Sequence, residues 1–128
     1  DVTIIANGTM VYESLEAAKL LEAAGISVGV INMHTLKPLD TDAINAAVVS
    51  SKAIVTVEEH SIIGGLGSAV AEFTSQLTHR PPQITLGLPD AFIKAADYKF
   101  MLDRHGLGAA KIAASIVKSL EKFVILNN

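Results

Sequence analysis

The sequence contains no cysteine and no tryptophan, and only 10 of its 128 residues are Lys or Arg. The absence of cysteine excludes disulfide bonds and thiol chemistry, and it fits an intracellular, cytoplasmic protein. The few basic residues are dispersed and the formal net charge is -3, so we expect no nucleic-acid partner. No apolar run approaches the roughly 20 residues of a membrane-spanning helix, so we expect no membrane partner either.

Charged residues of both signs are scarce as well. They make up 18% of the chain, whereas 50% of the residues are hydrophobic. A free-standing domain of this size usually carries more surface charge, so we expect partners or a second copy to cover part of the surface. The length suits one domain spanning residues 1–128. Because the chain begins at Asp1 rather than Met, we expect it to be a piece of something longer.

Apolar, β-branched runs alternate with helical patterns along the chain. The pattern predicts strands near residues 2–6, 27–33, 52–57 and 83–87, each buried, and helices near 9–24, 40–51, 63–78, 97–104 and from 108 onward. Thr9 and Asp40 are the expected N-caps of the first two helices. In the first helix the predicted buried stripe contains Val11, Leu15, Ala18 and Leu21. The alternation predicts a three-layer α/β/α sandwich with a mostly parallel sheet in the order 2-1-3-4.

The segment from Ala53 to Glu72 carries the most specific local pattern. A predicted buried strand leads into two carboxylates and a histidine, and a glycine-rich turn then opens a helix. In a parallel sheet this junction lies at the carboxyl edge, where ligands and partner domains bind. The end of the first strand lies at the same edge. The candidate rim or interface residues are therefore Asn7, Glu58, Glu59, His60, Gly64, Gly65 and Gly67.

Each of these candidates has a structural interpretation beside the functional one. The glycines can leave helix amides free for an anion, or they can serve a tight turn with close helix–sheet packing. Strand alternation sends Glu58 and Glu59 to opposite faces, so we expect one to cap or pair locally and the other to face outward. His60 can meet a ligand or neighbouring domain, or it can be satisfied by local hydrogen bonds.

The remaining residues give no pattern typical of catalysis. His34, His79 and His105 are scattered, without carboxylates at metal-ligand spacing. No serine lies in a G-x-S-x-G motif, and neither dinucleotide nor P-loop phosphate motifs occur. The sequence therefore predicts no catalytic, cofactor-binding or metal-binding residue.

Three segments together resemble the C-terminal domain of the transketolase family of thiamine-diphosphate enzymes. They are Asp1–Ala6 with the following Gly8-Thr-Met-Val11, Val30–Asp40, and the most specific one, Val57–Glu72. The resemblance covers essentially the whole chain, and over the first two thirds separately encoded C-terminal transketolase subunits are the most similar. It implies a Rossmann-like C-terminal transketolase domain.

One segment departs from the transketolase pattern. Phe92-Ile-Lys-Ala-Ala96 stands where transketolases tend to have Phe-Gly-x-Ser-Gly, and residues 87–93 are more similar to 1-deoxyxylulose-5-phosphate synthase. The beta subunits of 2-oxo acid dehydrogenases share the domain as well. The resemblance therefore implies the superfamily more firmly than the reaction.

The resemblance also implies how the work is divided between domains. Thiamine diphosphate and Mg²⁺ belong to other domains or subunits of the parent enzyme, and this chain supports dimer and active-site assembly without activity of its own. His60 is then expected at a domain interface, near Asn7 and the Gly64 turn. The alternative from another class is an autonomous domain that binds a small anion at the carboxyl edge of the sheet.

Overall fold

Four parallel strands form one sheet in the order β2-β1-β3-β4, as predicted. The computed structural model describes residues 1–93 and 96–126. The elements are β1 (Val2–Ala6), α1 (Met10–Ala23), β2 (Val28–Asn32), α2 (Thr41–Ser50), β3 (Ala53–Ser61), α3 (Leu66–Thr74), β4 (Gln83–Leu88), α4 (Tyr98–Arg104) and α5 (Ala109–Leu126). The chain reverses its direction of winding between β1 and β3, so these two strands flank the topological switch point.

Alternate residues of β1 pack into two separate cores. Ile4 faces a core that α1 and α5 complete, with Leu21 and Ile112 among its members. Ile5 faces the opposite core, which contains Ile44 of α2 and Val70 of α3. The helices therefore cover both faces of the sheet, which confirms the three-layer α/β/α sandwich.

Two predictions of burial were wrong. The second and fourth strands, predicted as buried, are largely not: β2 contains no fully buried residue and β4 only Ile84, because both lie at the edges of the sheet. In α1, Leu15 of the predicted stripe is 47% exposed, whereas Ser14 and Ala17 are fully buried. The helix presents these small side chains to its neighbours, and small side chains allow the close approach of helix to sheet that leaves Leu15 outside.

The boundaries around the third strand also differ from the prediction. Strand β3 continues to Ser61, which pairs with Leu88 beyond an irregularity in the ladder. Helix α3 is shorter than predicted, because Gly64 with φ 80 belongs to the preceding turn. At its other end, Gln76 and Leu77 donate to carbonyls three residues back, so a tighter turn replaces the α-helical pattern there.

Candidate functional site

Glu58 fastens the start of helix α3 to strand β3. Its side chain is 1% exposed, and its two carboxylate oxygens accept hydrogen bonds from the backbone amides of Leu66 at 2.7 Å and Gly67 at 2.9 Å. The residue at the N-cap position is Gly65, which has no side chain to cap the helix. The buried carboxylate therefore satisfies two helix N-terminal amides and places negative charge at the positive end of the helix dipole.

Close packing against different neighbours requires glycine at positions 65 and 67. A Cβ on Gly65 would collide with the Glu58 carboxylate, and a Cβ on Gly67 would lie 2.5 Å from Cγ2 of Thr85 and 2.9 Å from Oγ1 of Thr56. The structure thus supports tight turn and helix–sheet packing as the role of these glycines. Since Glu58 already occupies the amides of Leu66 and Gly67, those two amides are not free for an external anion.

Glu59 faces outward from the same strand and joins two hydroxyl groups. Its Oε2 accepts from Oγ1 of Thr9 at 2.8 Å and from the hydroxyl of Tyr98 at 2.7 Å. The two hydroxyl oxygens are themselves 3.0 Å apart. The three side chains make three oxygen–oxygen contacts but have only two hydroxyl protons between them. Both protons can point at the Glu59 carboxylate, where the hydrogen bonds are charge-assisted. We call Thr9, Glu59 and Tyr98 the Glu59 cluster.

The Glu59 cluster changes the roles of two of its members. The pKa of Tyr98 is raised above its usual value of 10. The hydrogen bond with Thr9 lowers this pKa, but the hydrogen bond to Glu59, desolvation and the negative charges of Glu59 and Glu13 together raise it by more. Thr9 occupies the N-cap position of α1 without capping it by a side-chain hydrogen bond, because its hydroxyl donates to Glu59. The prediction of Thr9 as a capping side chain was therefore wrong, whereas Asp40 caps α2 through the amide of Ala43.

His60 lies near the carboxyl end of β3 with 63% of its side chain exposed. Its Nδ1 is 2.9 Å from the carbonyl oxygen of Ser61. A carbonyl oxygen only accepts, so Nδ1 carries the proton and Nε2 remains available as an acceptor in the neutral ring. Nδ1 also lies 3.9 Å from the buried carboxylate of Glu58, and a Cβ on Gly65 would come within 2.9 Å of it, so the ring borders the glycine turn.

Asn7 lies at the same edge of the sheet. It follows Ala6, the residue of β1 that pairs with Val57 of β3. Its backbone carbonyl accepts from the amide of Met10 at 3.2 Å and helps to start α1. The structure thus places the sequence-predicted residues around the ends of β1 and β3, with Glu58 buried beneath the turn and Glu59 and His60 exposed.

Sequence reasoning missed two residues that shape this edge. Tyr98 is 39 positions away from Glu59, and no local pattern links them. Glu13 of α1 accepts from the amide of Ala109 at 2.8 Å and so caps helix α5 from outside. The glycine just before each of α3 and α5, where a capping side chain normally stands, was the available signal for such remote caps.

The described residues do not fit a thiamine-diphosphate and magnesium site. Among residues 1–93 and 96–126, no group of three or more His, Asp and Glu side chains is arranged to hold a metal ion. Two of the N-terminal amides of α3, those of Leu66 and Gly67, are taken by Glu58. None of the helices in residues 1–93 and 96–126 combines the length and hydrophobicity needed to span a bilayer.

Comparisons with known proteins identify the family to which this fold and this edge of the sheet belong. A family model described as "Transketolase, C-terminal domain" matches residues 1–112. The chain is 41% identical over 121 residues to 1-deoxy-D-xylulose-5-phosphate synthase of Dictyoglomus turgidum, covering 94% of this chain and 20% of that enzyme. The match to the corresponding synthase of Methylobacillus flagellatus is 44% identical and covers 94% of this chain and 19% of that enzyme. The chain therefore spans about a fifth of the length of these curated relatives.

A solved structure gives the same result in three dimensions. A split-gene transketolase described as an inactive beta4 tetramer superposes with a TM-score of 0.84 at 43% identity, over 94% of this chain and 38% of that one. Transketolase from Campylobacter jejuni shares the fold, with a TM-score of 0.65 at 20% identity over 91% of this chain and 16% of that one.

Proposed function

This chain belongs to the transketolase C-terminal domain family, and from that premise we propose that it is the non-catalytic C-terminal part of a thiamine-diphosphate-dependent transketolase. The parent enzyme would transfer two-carbon ketol groups between sugar phosphates. The observation that carries the non-catalytic role is the use of Glu58: the buried carboxylate at the carboxyl edge is consumed in capping α3. A group already held by two backbone amides is a structural element rather than a free acid or base.

The proposed partners are the thiamine-binding domains or subunits of the same enzyme, and the proposed assembly is a homodimer of the whole. Large apolar side chains are exposed beyond the carboxyl ends of β3 and β4, namely Ile63 at 62% and Phe92 at 109%, and Phe100 of α4 is exposed at 55%. Exposed apolar surface of this kind is typical of interfaces. The split-gene transketolase that this chain resembles was solved as a beta4 tetramer, which supports association between copies of such a chain.

Thiamine diphosphate and Mg²⁺ would be bound by the partner domains and supply the chemistry of ketol transfer. This chain would contribute surface and support, in keeping with the absence of a fitting metal-ligand group among its described residues. We propose that residues 1–128 form one domain within that assembly.

Calorimetry and reconstitution test this proposal together. The chain alone, titrated with thiamine diphosphate and Mg²⁺, should show no micromolar binding and no ketol transfer. Mixed with the thiamine-binding domains or subunit, it should restore dimer assembly and activity. Micromolar cofactor binding by the chain alone, or full activity of the partner domains without it, would contradict the proposal.

His60 gives a sharper test of the interface. His60→Ala should weaken assembly or substrate handling modestly in the reconstituted enzyme while cofactor affinity stays nearly unchanged. His79→Ala is a matched control, because His79 is exposed and lies before β4, away from the carboxyl edge. If His60→Ala abolished turnover while assembly stayed normal, His60 would be a catalytic acid or base.

A second candidate is the C-terminal domain of a 1-deoxy-D-xylulose-5-phosphate synthase. The curated relatives favour it, as does the similarity of residues 87–93. Product analysis of the reconstituted enzyme separates the two: formation of 1-deoxy-D-xylulose 5-phosphate would support the second candidate, and exchange of ketol groups between sugar phosphates the first. The autonomous anion-binding alternative has less structural support, since Glu58 occupies the amides of Leu66 and Gly67 and Glu59 adds negative charge at the edge.

A further inference from the structure

Helix α4 is held to the rest of the fold by little apolar burial. It contains seven residues, of which only Leu102 is buried, whereas Tyr98 and Phe100 are 47% and 55% exposed. Segments with few buried apolar contacts open locally at low free-energy cost. The specific polar contacts of α4 therefore weigh heavily in keeping it in place.

Polar contacts anchor both ends of α4. At its C-terminal end, Lys111 of α5 pairs with the Asp103 carboxylate at 2.9 Å and donates to the Asp103 backbone carbonyl at 2.8 Å, and both side chains are at least half exposed. Exposed ion pairs of this kind contribute little to stability. At its N-terminal end, Tyr98 contacts both Thr9 and Glu59, at 3.0 and 2.7 Å. The hydrogen bond to a carboxylate is the stronger type of contact.

The Glu59 cluster also sits at a particular place in the topology. Thr9 follows β1 and Glu59 belongs to β3, the two strands that flank the switch point. In open α/β sheets the crevice at this point is where ligands bind. Tyr98 reaches across it from α4, which comes later in the chain than all four strands.

We propose that the Glu59 cluster is a latch that fastens α4 across the switch-point crevice, with Tyr98 as the residue that opens and closes it. Between α4 and the ends of β3 and β4 lies an open cavity of about 350 Å³, lined by Tyr98, Met101 and Leu102 of α4 on one side and by Glu59 and Leu88 on the other. Release of Tyr98 would free α4 as a local unit and take away its side of this cavity, while the sheet and its two cores remain folded. This inference does not depend on the proposed function.

Hydrogen exchange on the full chain tests the latch. Tyr98→Phe keeps the ring and removes the hydroxyl, so the protected amides of Met101 in α4 and of His105 at its C-cap should exchange several-fold faster, as expected for loss of an exposed hydrogen bond to a charged group. Amides of β1 and β3 should keep their rates. Tyr12→Phe is the control, because Tyr12 is 66% exposed and the described residues show no hydrogen bond to its hydroxyl.

A second variant keeps the test decisive. Glu59→Gln retains an acceptor but removes the charge, so it should accelerate the same amides by less than Tyr98→Phe does. In a Glu59→Ala background, Tyr98→Phe should accelerate these amides less than it does in the parent chain, because the charged partner of the hydroxyl is already gone and only the neutral Thr9 remains. The proposal would be overturned if α4 exchanged in Tyr98→Phe as it does in Tyr12→Phe, or if the whole sheet accelerated equally or the variant failed to fold.

Discussion

Glu58 should be among the most sensitive polar positions of this fold. Glu58→Gln preserves the size of the side chain, but one oxygen becomes an NH₂ group that cannot accept from a backbone amide. One of the amides of Leu66 and Gly67 is then buried without a partner, facing a second donor. An unsatisfied buried donor costs about 1–3 kcal/mol, so we expect a loss of that size in the free energy of unfolding.

Glu58→Ala should cost more, because it leaves both amides unsatisfied and opens a cavity under the turn. Two buried donors give a loss of about 2–6 kcal/mol by the same reasoning. The total stability of a domain is about 5–15 kcal/mol, so this variant should be severely destabilised. Gly65 offers no replacement cap, since it has no side chain.

Urea denaturation followed by circular dichroism measures these losses. Glu72→Gln is the matched control: Glu72 lies in the same helix and is exposed, and it should change stability by no more than about 0.5 kcal/mol. Native-state hydrogen exchange should locate the loss at the amides of Leu66 and Gly67. If Glu58→Gln were as stable as Glu72→Gln, the carboxylate would not be what holds α3 to the sheet.

Three further outcomes are expected. Gly67→Leu should lower the free energy of unfolding by about 1–3 kcal/mol through overpacking against Thr85. Gly29→Ala, whose Cβ has ordinary clearance, should melt like the parent chain, and equal melting curves for the two variants would contradict the close packing at Gly67. Asp40→Ala should lose about 1 kcal/mol in urea titrations by uncapping α2, while an unchanged midpoint would argue against the cap. Because folding raises the pKa of Tyr98, its contribution to stability should be complete below pH 10 and disappear as the pH rises through the raised pKa. An absorbance titration in Glu59→Gln should return that pKa toward 10, and no change would contradict the role of Glu59.

Two helices of this fold are capped by carboxylates that come from other elements of the structure. Helices α3 and α5 each follow a glycine, and each receives a carboxylate from another element: Glu58 from β3 and Glu13 from α1. A local cap would fix only the first turn of its own helix. A remote carboxylate also fixes where that helix lies relative to the sheet or to its neighbour. Its negative charge lies at the N-terminal, positive end of the helix dipole and stabilises it.

The sequence by itself determined the layers of the fold. Strand–helix alternation and β-branched apolar runs depend on local geometry, so they predicted the four strands, their order and the covering of both faces. The predicted order already placed the second and fourth strands at the edges, so their partial exposure follows from the order rather than from the apolar runs themselves. The exposure of Leu15 could not be derived in this way, because it depends on how closely α1 approaches its neighbours, and that distance is set by contacts between residues far apart in the sequence.

The carboxyl edge divides in the same way. Strand periodicity was enough to send Glu58 and Glu59 to opposite faces, because side chains alternate along any strand. It did not show that Glu58 would reach the amides of α3 or that Tyr98 would meet Glu59 and Thr9, because those partners are brought together only when the turn closes and α4 packs across the edge. Local periodicity orients a side chain, whereas the partner it finds is decided by the tertiary path of the chain.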